Sequence, residues 1–82
     1  MDAKPQVTHD RDVDALYLRL RGGTVDHTVE VEGAIYMDVD SLGQPLGIEF
    51  LHSEDLAPYV QRHGEELGIP ESVLNRGDWA VR

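Results

Sequence analysis

Six side chains with acid–base or metal-binding chemistry alternate with other residues along four stretches of this 82-residue chain. A period of two is typical of β-strands, so the six are predicted to point to one face of a sheet. Carboxylates gathered there could share a proton or bind a hard cation, because crowding disfavours charging all of them at once. We call this set the polar sheet face; its candidate ligand- or metal-binding residues are Tyr17, Arg19, Glu30, Tyr36, Asp38 and Glu49.

The centre of this candidate site is expected at Tyr17, Asp38 and Glu49, because Glu49 is a charge inside the otherwise apolar segment 46–51. The residue types do not identify a particular metal. The alternative is a solvated face, on which Arg19 neutralises one of the carboxylates in a cross-strand pair.

Three aspartates spaced by two residues, Asp10, Asp12 and Asp14, resemble the start of a calcium-binding loop. An EF-hand loop needs Gly at its sixth and Glu at its twelfth position, where this chain has Ala15 and Arg21. We therefore predict that Asp10 and Asp14 brace a turn through hydrogen bonds to backbone N–H groups. Asp40, at the start of the Asp-Ser-Leu-Gly turn, is assigned the same role.

No catalytic residue or cofactor is predicted. The four histidines have no metal-ligand spacing, the serines lack a Gly-x-Ser-x-Gly context, and the chain has no cysteine. We therefore expect a protein that is not an enzyme, although the pattern does not decide this.

The elements that must position the polar sheet face are strands in the first 51 residues. Alternating apolar residues run over 16–20, 25–31, 35–39 and 46–50, separated by glycine-containing turns, and segment 5–9 adds a short first strand. From Ser53, predicted as a helix N-cap, the spacing changes to two short helices that end near Gly68 and Gly77. This predicts an α+β fold, an antiparallel β-meander of four to five strands followed by two short C-terminal helices, in a single domain over 1–82 (β-sheet module 7–52, helical extension 53–82).

The charge balance restricts the partners. Sixteen acidic residues against seven basic ones give a formal net charge of −9, whereas nucleic-acid binding depends on clustered Lys and Arg. No apolar run approaches the roughly 20 residues of a membrane span. We expect a cytoplasmic protein that binds no nucleic acid and no membrane. The negative electrostatic field of the chain favours a basic protein as its partner.

With the strands placed, the chain resembles a family of short bacterial proteins known as domain of unknown function 2283, over roughly residues 7–52. His9 departs from the tyrosine more usual there. The resemblance implies a small β-sheet module without an assigned activity, and an antitoxin-type role, since some members look to be encoded beside small toxin-like proteins. The matching positions are Asp10, Asp14, Leu16, Tyr17, Leu20, Thr28, Glu30, Val31, Asp38, Asp40, Gly43, Gly47, Ile48 and Glu49.

Our leading hypothesis is a homodimeric, non-enzymatic interaction module that binds a small basic protein, as an antitoxin does. A sheet of about 50 residues alone would leave one apolar face poorly covered; we expect the C-terminal helices to cover it together with a second copy in an isologous dimer. The alternative is a small-ligand or metal-binding protein, including a hydrolase, that uses the polar sheet face. The residues expected to need a second copy are Leu16, Leu18, Val29, Ile35, Met37, Ile48 and Phe50.

Overall fold

The computed structural model describes residues 4–82, within which six strands form one sheet covered on one side by an α-helix. Three short 3-10 helices flank or follow the α-helix, at Ser53–Asp55, Glu71–Leu74 and Arg76–Asp78. The strands are β1 (Gln6–Asp10), β2 (Ala15–Arg19), β3 (His27–Glu32), β4 (Ile35–Val39), β5 (Pro45–Phe50) and β6 (Ala80–Val81), and the helix is α1 (Leu56–Leu67).

The predicted α+β class is confirmed, but the counts of strands and helices are wrong. A sixth strand, Ala80–Val81, comes from the C-terminal tail and runs parallel to β1, so the sheet is mixed. The second predicted helix is two 3-10 turns, because Asn75 between them is extended (φ −76°, ψ 102°) and its side chain accepts a hydrogen bond from the Gly77 N–H at 3.1 Å. Among residues 4–82, no helix is long and apolar enough to cross a membrane.

The strand order, β3-β4-β5-β2-β1-β6, differs from a simple meander. Strands β3 to β5 do form one, but β2 pairs with β5 and not with β3. The segment 20–26 crosses the end of the sheet, anchored where the N–H groups of Leu20 and Arg21 both donate to the Leu46 carbonyl (2.8 and 3.2 Å). This crossing carries β3 to the far edge of the sheet.

The helix α1 starts later than the sequence predicts. Ser53 lies in the 3-10 turn before it, and its hydroxyl is bound to Asp14 instead of capping the helix. Gly68 ends the helix in the left-handed conformation (φ 69°), where its N–H donates to the Gly64 and Glu65 carbonyls. A residue without Cβ adopts this conformation with least strain.

The core lies between the apolar sheet face and α1 and is complete within one chain. Phe50 and Tyr59 meet edge to face with ring centroids 5.5 Å apart, and Phe50 is fully buried. Of the seven residues expected to need a second copy, six are at least 92% buried here, and only Val29, 42% exposed, is not. The C-terminal segment covers this face as expected, since α1 and the turn of Glu71–Leu74 bury those six, and a second copy is not needed to cover them.

Candidate functional site

The strand register places the polar sheet face in two rows. In the first row, Tyr17 is opposite Glu49, which is opposite Tyr36, which is opposite Glu30. In the second row, Arg19, Gly47, Asp38 and Thr28 follow one another across the same four strands. The candidate residues therefore share one face of β2, β5, β4 and β3.

A hydrogen-bonded group joins three strands at the centre of this face. The Tyr17 hydroxyl donates to Asp38 Oδ2 at 2.8 Å, and the Thr28 hydroxyl donates to Asp38 Oδ1 at 2.6 Å. Both oxygens of the Asp38 carboxylate thus accept a charge-assisted hydrogen bond, the stronger kind. Each oxygen of the Asp38 carboxylate accepts a hydrogen bond from another strand, so Asp38 connects β4 to β2 and to β3.

Gly47 makes this arrangement possible. It lies between Arg19 and Asp38 in the second row, and the Tyr17 ring leans over it to reach Asp38. A Cβ at position 47 would overlap the Tyr17 hydroxyl oxygen and Cζ. Gly47 is not among the candidate site residues predicted from the sequence. The signal that could have found it is an isolated glycine inside a strand, which often marks the close approach of another group.

The environment of Tyr17 keeps its phenol protonated. Partial burial first, and then the hydrogen bond to the Asp38 carboxylate, raise the pKa of Tyr17 to about 12, while the nearby Arg19 charge acts in the opposite direction. A phenol with this pKa is a hydrogen-bond donor near neutral pH and a poor general base. Its proton is used in the hydrogen bond to Asp38.

The remaining candidates do not join this group. No ion pair involves Arg19 within residues 4–82, so the expected cross-strand neutralisation of a carboxylate is not seen. Glu49 and Tyr36 are half-buried beside one another, and Glu30 is exposed at the edge strand. Across the described part of the chain, no three His, Asp or Glu side chains are grouped closely enough to hold a metal.

The three aspartates assigned to turns make different contacts. Asp10 Oδ1 accepts the Asp12 N–H at 3.1 Å, and Asp40 Oδ1 accepts the N–H groups of Leu42 and Gln44, each at 2.9 Å. Asp14 has a positive φ of 56° and points its carboxylate out of its own turn. Its partners come from elsewhere in the fold.

Asp14 connects His9 and Ser53. His9 Nε2 lies 2.7 Å from Asp14 Oδ1, and the Ser53 hydroxyl donates to Asp14 Oδ2 at 2.8 Å. These hydrogen bonds, the one to His9 first, lower the pKa of Asp14 below its ordinary value of 3.8. The three residue types are those of a hydrolase triad, but a triad needs the histidine between serine and carboxylate. Here the carboxylate is in the middle, so His9 cannot activate Ser53 and the group ties the β1–β2 turn to the start of the helical segment.

The sequence of this sheet matches a known family. Residues 6–53, more than half of the chain, match the family described as protein of unknown function (DUF2283). Comparison with curated proteins and with solved structures gives no match.

Proposed function

The chain belongs to the DUF2283 family, for which no activity is described, and we propose that it is a non-enzymatic interaction module that works as a homodimer and binds a basic protein. The observation that carries this proposal is the open edge of the sheet at β3. Within residues 4–82, no strand lies on the outer side of β3, and five of its six residues are exposed.

An edge strand leaves the N–H and C=O groups of alternate residues free to pair with another strand. The β3 edge adds apolar side chains to these groups, since Val29 and Val31 are 42% and 40% exposed. Beside a strongly acidic surface, two exposed valines at alternate positions of one edge strand form an apolar patch. A strand from another chain would cover them and pair the backbone.

The opposite edge favours a second copy of the same chain as that partner. It ends in the two-residue strand β6, held where the Arg82 N–H donates to the His9 carbonyl at 2.9 Å. With only one edge long enough for pairing, strand addition closes with two copies instead of continuing into a fibre. Antiparallel pairing centred on Val29 sets Val29 against Val29 and Thr28 against Glu30, so that the two Glu30 carboxylates are kept apart.

A basic partner follows from the charge. Dimerisation doubles a formal charge that is already −9 per chain, and such a field attracts cationic proteins and speeds their association. The edge pairing leaves both polar sheet faces open for this contact. Neutralising a small basic toxin is one role of this kind, and the antitoxin-type function is part of the proposal.

The dimer is tested by comparing two exposed valines at the two edges. We expect light scattering after gel filtration to give twice the chain mass, and Val29→Lys to give the mass of one chain, because a charge on an edge strand prevents pairing. Val81→Lys, at the β6 edge where the side chain is 59% exposed, is the matched control and should stay dimeric. A single-chain mass for the unchanged protein at micromolar concentration would refute the dimer.

The basic partner is tested separately, by native mass spectrometry of the protein isolated from its own host at low salt. We expect chains in complex with a protein of high isoelectric point, and dissociation when salt is raised, since screening weakens contacts between exposed charges. A complex that survives high salt, or bare chains in every preparation, would contradict the proposed charge-driven binding.

A further inference from the structure

A cleft of about 210 Å³ opens at one end of the polar sheet face, between β1, β2 and the crossing segment 20–26. Two arginines, Arg19 and Arg21, line it together with Gln6 and Thr8 from β1. Arg19 is among the candidate residues predicted from the sequence, whereas Arg21 is not. Continuing the alternation 17, 19 past the end of β2 to 21 would have found it.

These two arginines lie together in a cleft, whereas Arg11, which also forms no ion pair within residues 4–82, is exposed in the β1–β2 turn. Arg62 pairs with Glu32 at 2.9 Å, Arg82 approaches Asp10 at 3.8 Å, and Arg76 lies 4.7 Å from the centre of the Trp79 ring. Neither cleft arginine forms an ion pair within residues 4–82. In a chain with sixteen acidic residues, two neighbouring unpaired arginines in a cleft need a structural reason.

Tyr17 supplies that reason for Arg19. Asp38 is the carboxylate nearest in register, separated from Arg19 only by Gly47. The Tyr17 ring fills the space above Gly47 and gives its own proton to Asp38, so it stands where an Arg19–Asp38 ion pair would form. The arginine is therefore kept available on the cleft side.

The walls of the cleft are held in place by the backbone. The Arg21 N–H donates to the Leu46 carbonyl at 3.2 Å, and Gly23, with φ 151°, packs so closely that a Cβ there would lie 3.0 Å from Leu46 Cδ2. A cleft formed before the ligand arrives loses less conformational freedom on binding. Loop 20–26 is thus a fixed wall rather than a free loop.

The chemistry of the lining selects an anion. The two guanidinium groups are permanent cations whose planar N–H groups match carboxylate or phosphate oxygens, and the Gln6 amide and Thr8 hydroxyl add neutral donors. The Tyr17 ring, Val25 and Leu46 supply apolar surface beside them. The carboxylates of the polar sheet face suggested a cation, whereas this end of the same face has the opposite charge.

We propose that this cleft binds a small oxyanion, a carboxylate or phosphate group carried on a short apolar body. The anionic group sits between Arg19 and Arg21, and the body lies against Tyr17 and Leu46. This inference is independent of the proposed dimer, because neither β3 nor its edge contributes the two arginines.

The test is a titration followed by ¹H–¹⁵N NMR at low ionic strength, with inorganic phosphate, acetate and benzoate as separate probes. We expect saturable shifts of the Arg19, Arg21 and Gly23 amides with phosphate and with benzoate, and tighter binding of benzoate than of acetate. The double variant Arg19→Gln/Arg21→Gln should bind at least about tenfold more weakly, the loss of one charge-assisted hydrogen bond.

Arg11→Gln is the matched control, since Arg11 is exposed in the β1–β2 turn and has no ion pair within residues 4–82. It removes one positive charge outside the cleft, against two in the double variant, and should leave the affinity unchanged. Trp79 fluorescence on urea unfolding checks that each variant is folded. The proposal would be overturned if the chemical-shift changes did not saturate, if Arg11→Gln weakened binding as much as the double variant does, or if the folded double variant bound the anion with unchanged affinity. Equal affinity for acetate and benzoate would refute the part of the proposal that concerns the apolar body.

Discussion

Replacing Gly47 with alanine is expected to break the hydrogen bond between Tyr17 and Asp38. The new Cβ would overlap the hydroxyl oxygen and Cζ of Tyr17 and lie 2.9 Å from its Cε2. The ring belongs to a residue of the neighbouring strand and cannot stay where it is. Once it moves, Asp38 Oδ2 loses a donor that is now 2.8 Å away.

The magnitude follows from two opposing terms. Alanine is normally more stable than glycine inside a strand, by roughly 0.5–1 kcal/mol. A hydrogen bond to a charged group contributes roughly 1.5–3 kcal/mol. We therefore expect Gly47→Ala to lower the free energy of unfolding by about 1–2 kcal/mol, which corresponds to a melting temperature lower by roughly 4–16 °C for a domain of this size.

Urea unfolding followed by the fluorescence of Trp79, the only tryptophan, measures this difference. Gly33→Ala is the matched control, because a Cβ at Gly33 meets nothing within 4 Å. Combining Gly47→Ala with Tyr17→Ala tests the cause, since alanine at 47 should no longer be destabilising once the ring is absent. Alkaline titration of the tyrosine absorbance gives a second readout, because the pKa of Tyr17 should return from about 12 towards its ordinary value of 10.0.

Equal effects of the Gly47 and Gly33 substitutions would refute the reasoning. The reasoning would also be refuted if Gly47→Ala lowered the free energy of unfolding by the same amount when Tyr17 is replaced by alanine. In either case the close approach of the ring would not be the reason for glycine at this position.

Two further predictions concern the contacts that hold the C-terminal segment. Because the pKa of Asp14 is lowered in the folded state by His9 and then Ser53, its carboxylate stabilises the fold above the unfolded value of 3.8, and this contribution is lost as pH falls through the folded pKa. Asp14→Asn should therefore be less stable than the unchanged protein at pH 7, with the difference in urea midpoint shrinking below about pH 4; a pH-independent difference would contradict the assignment. Trp79→Phe removes the 2.7 Å hydrogen bond from Nε1 to the Val73 carbonyl and should lower the free energy of unfolding, measured by thermal unfolding, by roughly 1–3 kcal/mol. An unchanged melting temperature would show that water replaces the indole N–H as the partner of this carbonyl.

The faces of the strands could be predicted from the sequence because alternation is a direct consequence of strand geometry. Ile35, Met37 and Val39 are buried, and Tyr36 and Asp38 lie on the other face, as a period of two requires. The two-residue strand β6 could not be predicted, since it is too short to show a period.

Which strands are neighbours could not be predicted, because alternation contains no information about pairing. The Gly22–Gly23 pair favoured a tight hairpin between β2 and β3, yet the connection runs from Leu20 to Asp26 and crosses the end of β5. The sequence leaves only residues 21–24 between the two alternating segments, which is within the usual two to five residues of a hairpin loop, so the longer connection could not be predicted. The Tyr17–Asp38 hydrogen bond depends on this crossing, because it places β5, with Gly47, between their strands.

The case for a dimer changes once the covering of the core is known. A face-to-face dimer would have buried Leu16 and Phe50, but α1 already does so, whereas Val29 and Val31 at the β3 edge remain 42% and 40% exposed. The edge and the face have different consequences for function. Pairing through β3, as we propose, would leave the polar sheet face of each copy in solvent, with the arginine cleft at one end and Glu30 at the other, so two copies would present these surfaces in one continuous sheet. A dimer of this geometry is therefore compatible with a basic partner and with a small anion at the same time, because the two would occupy separate ends of the same face.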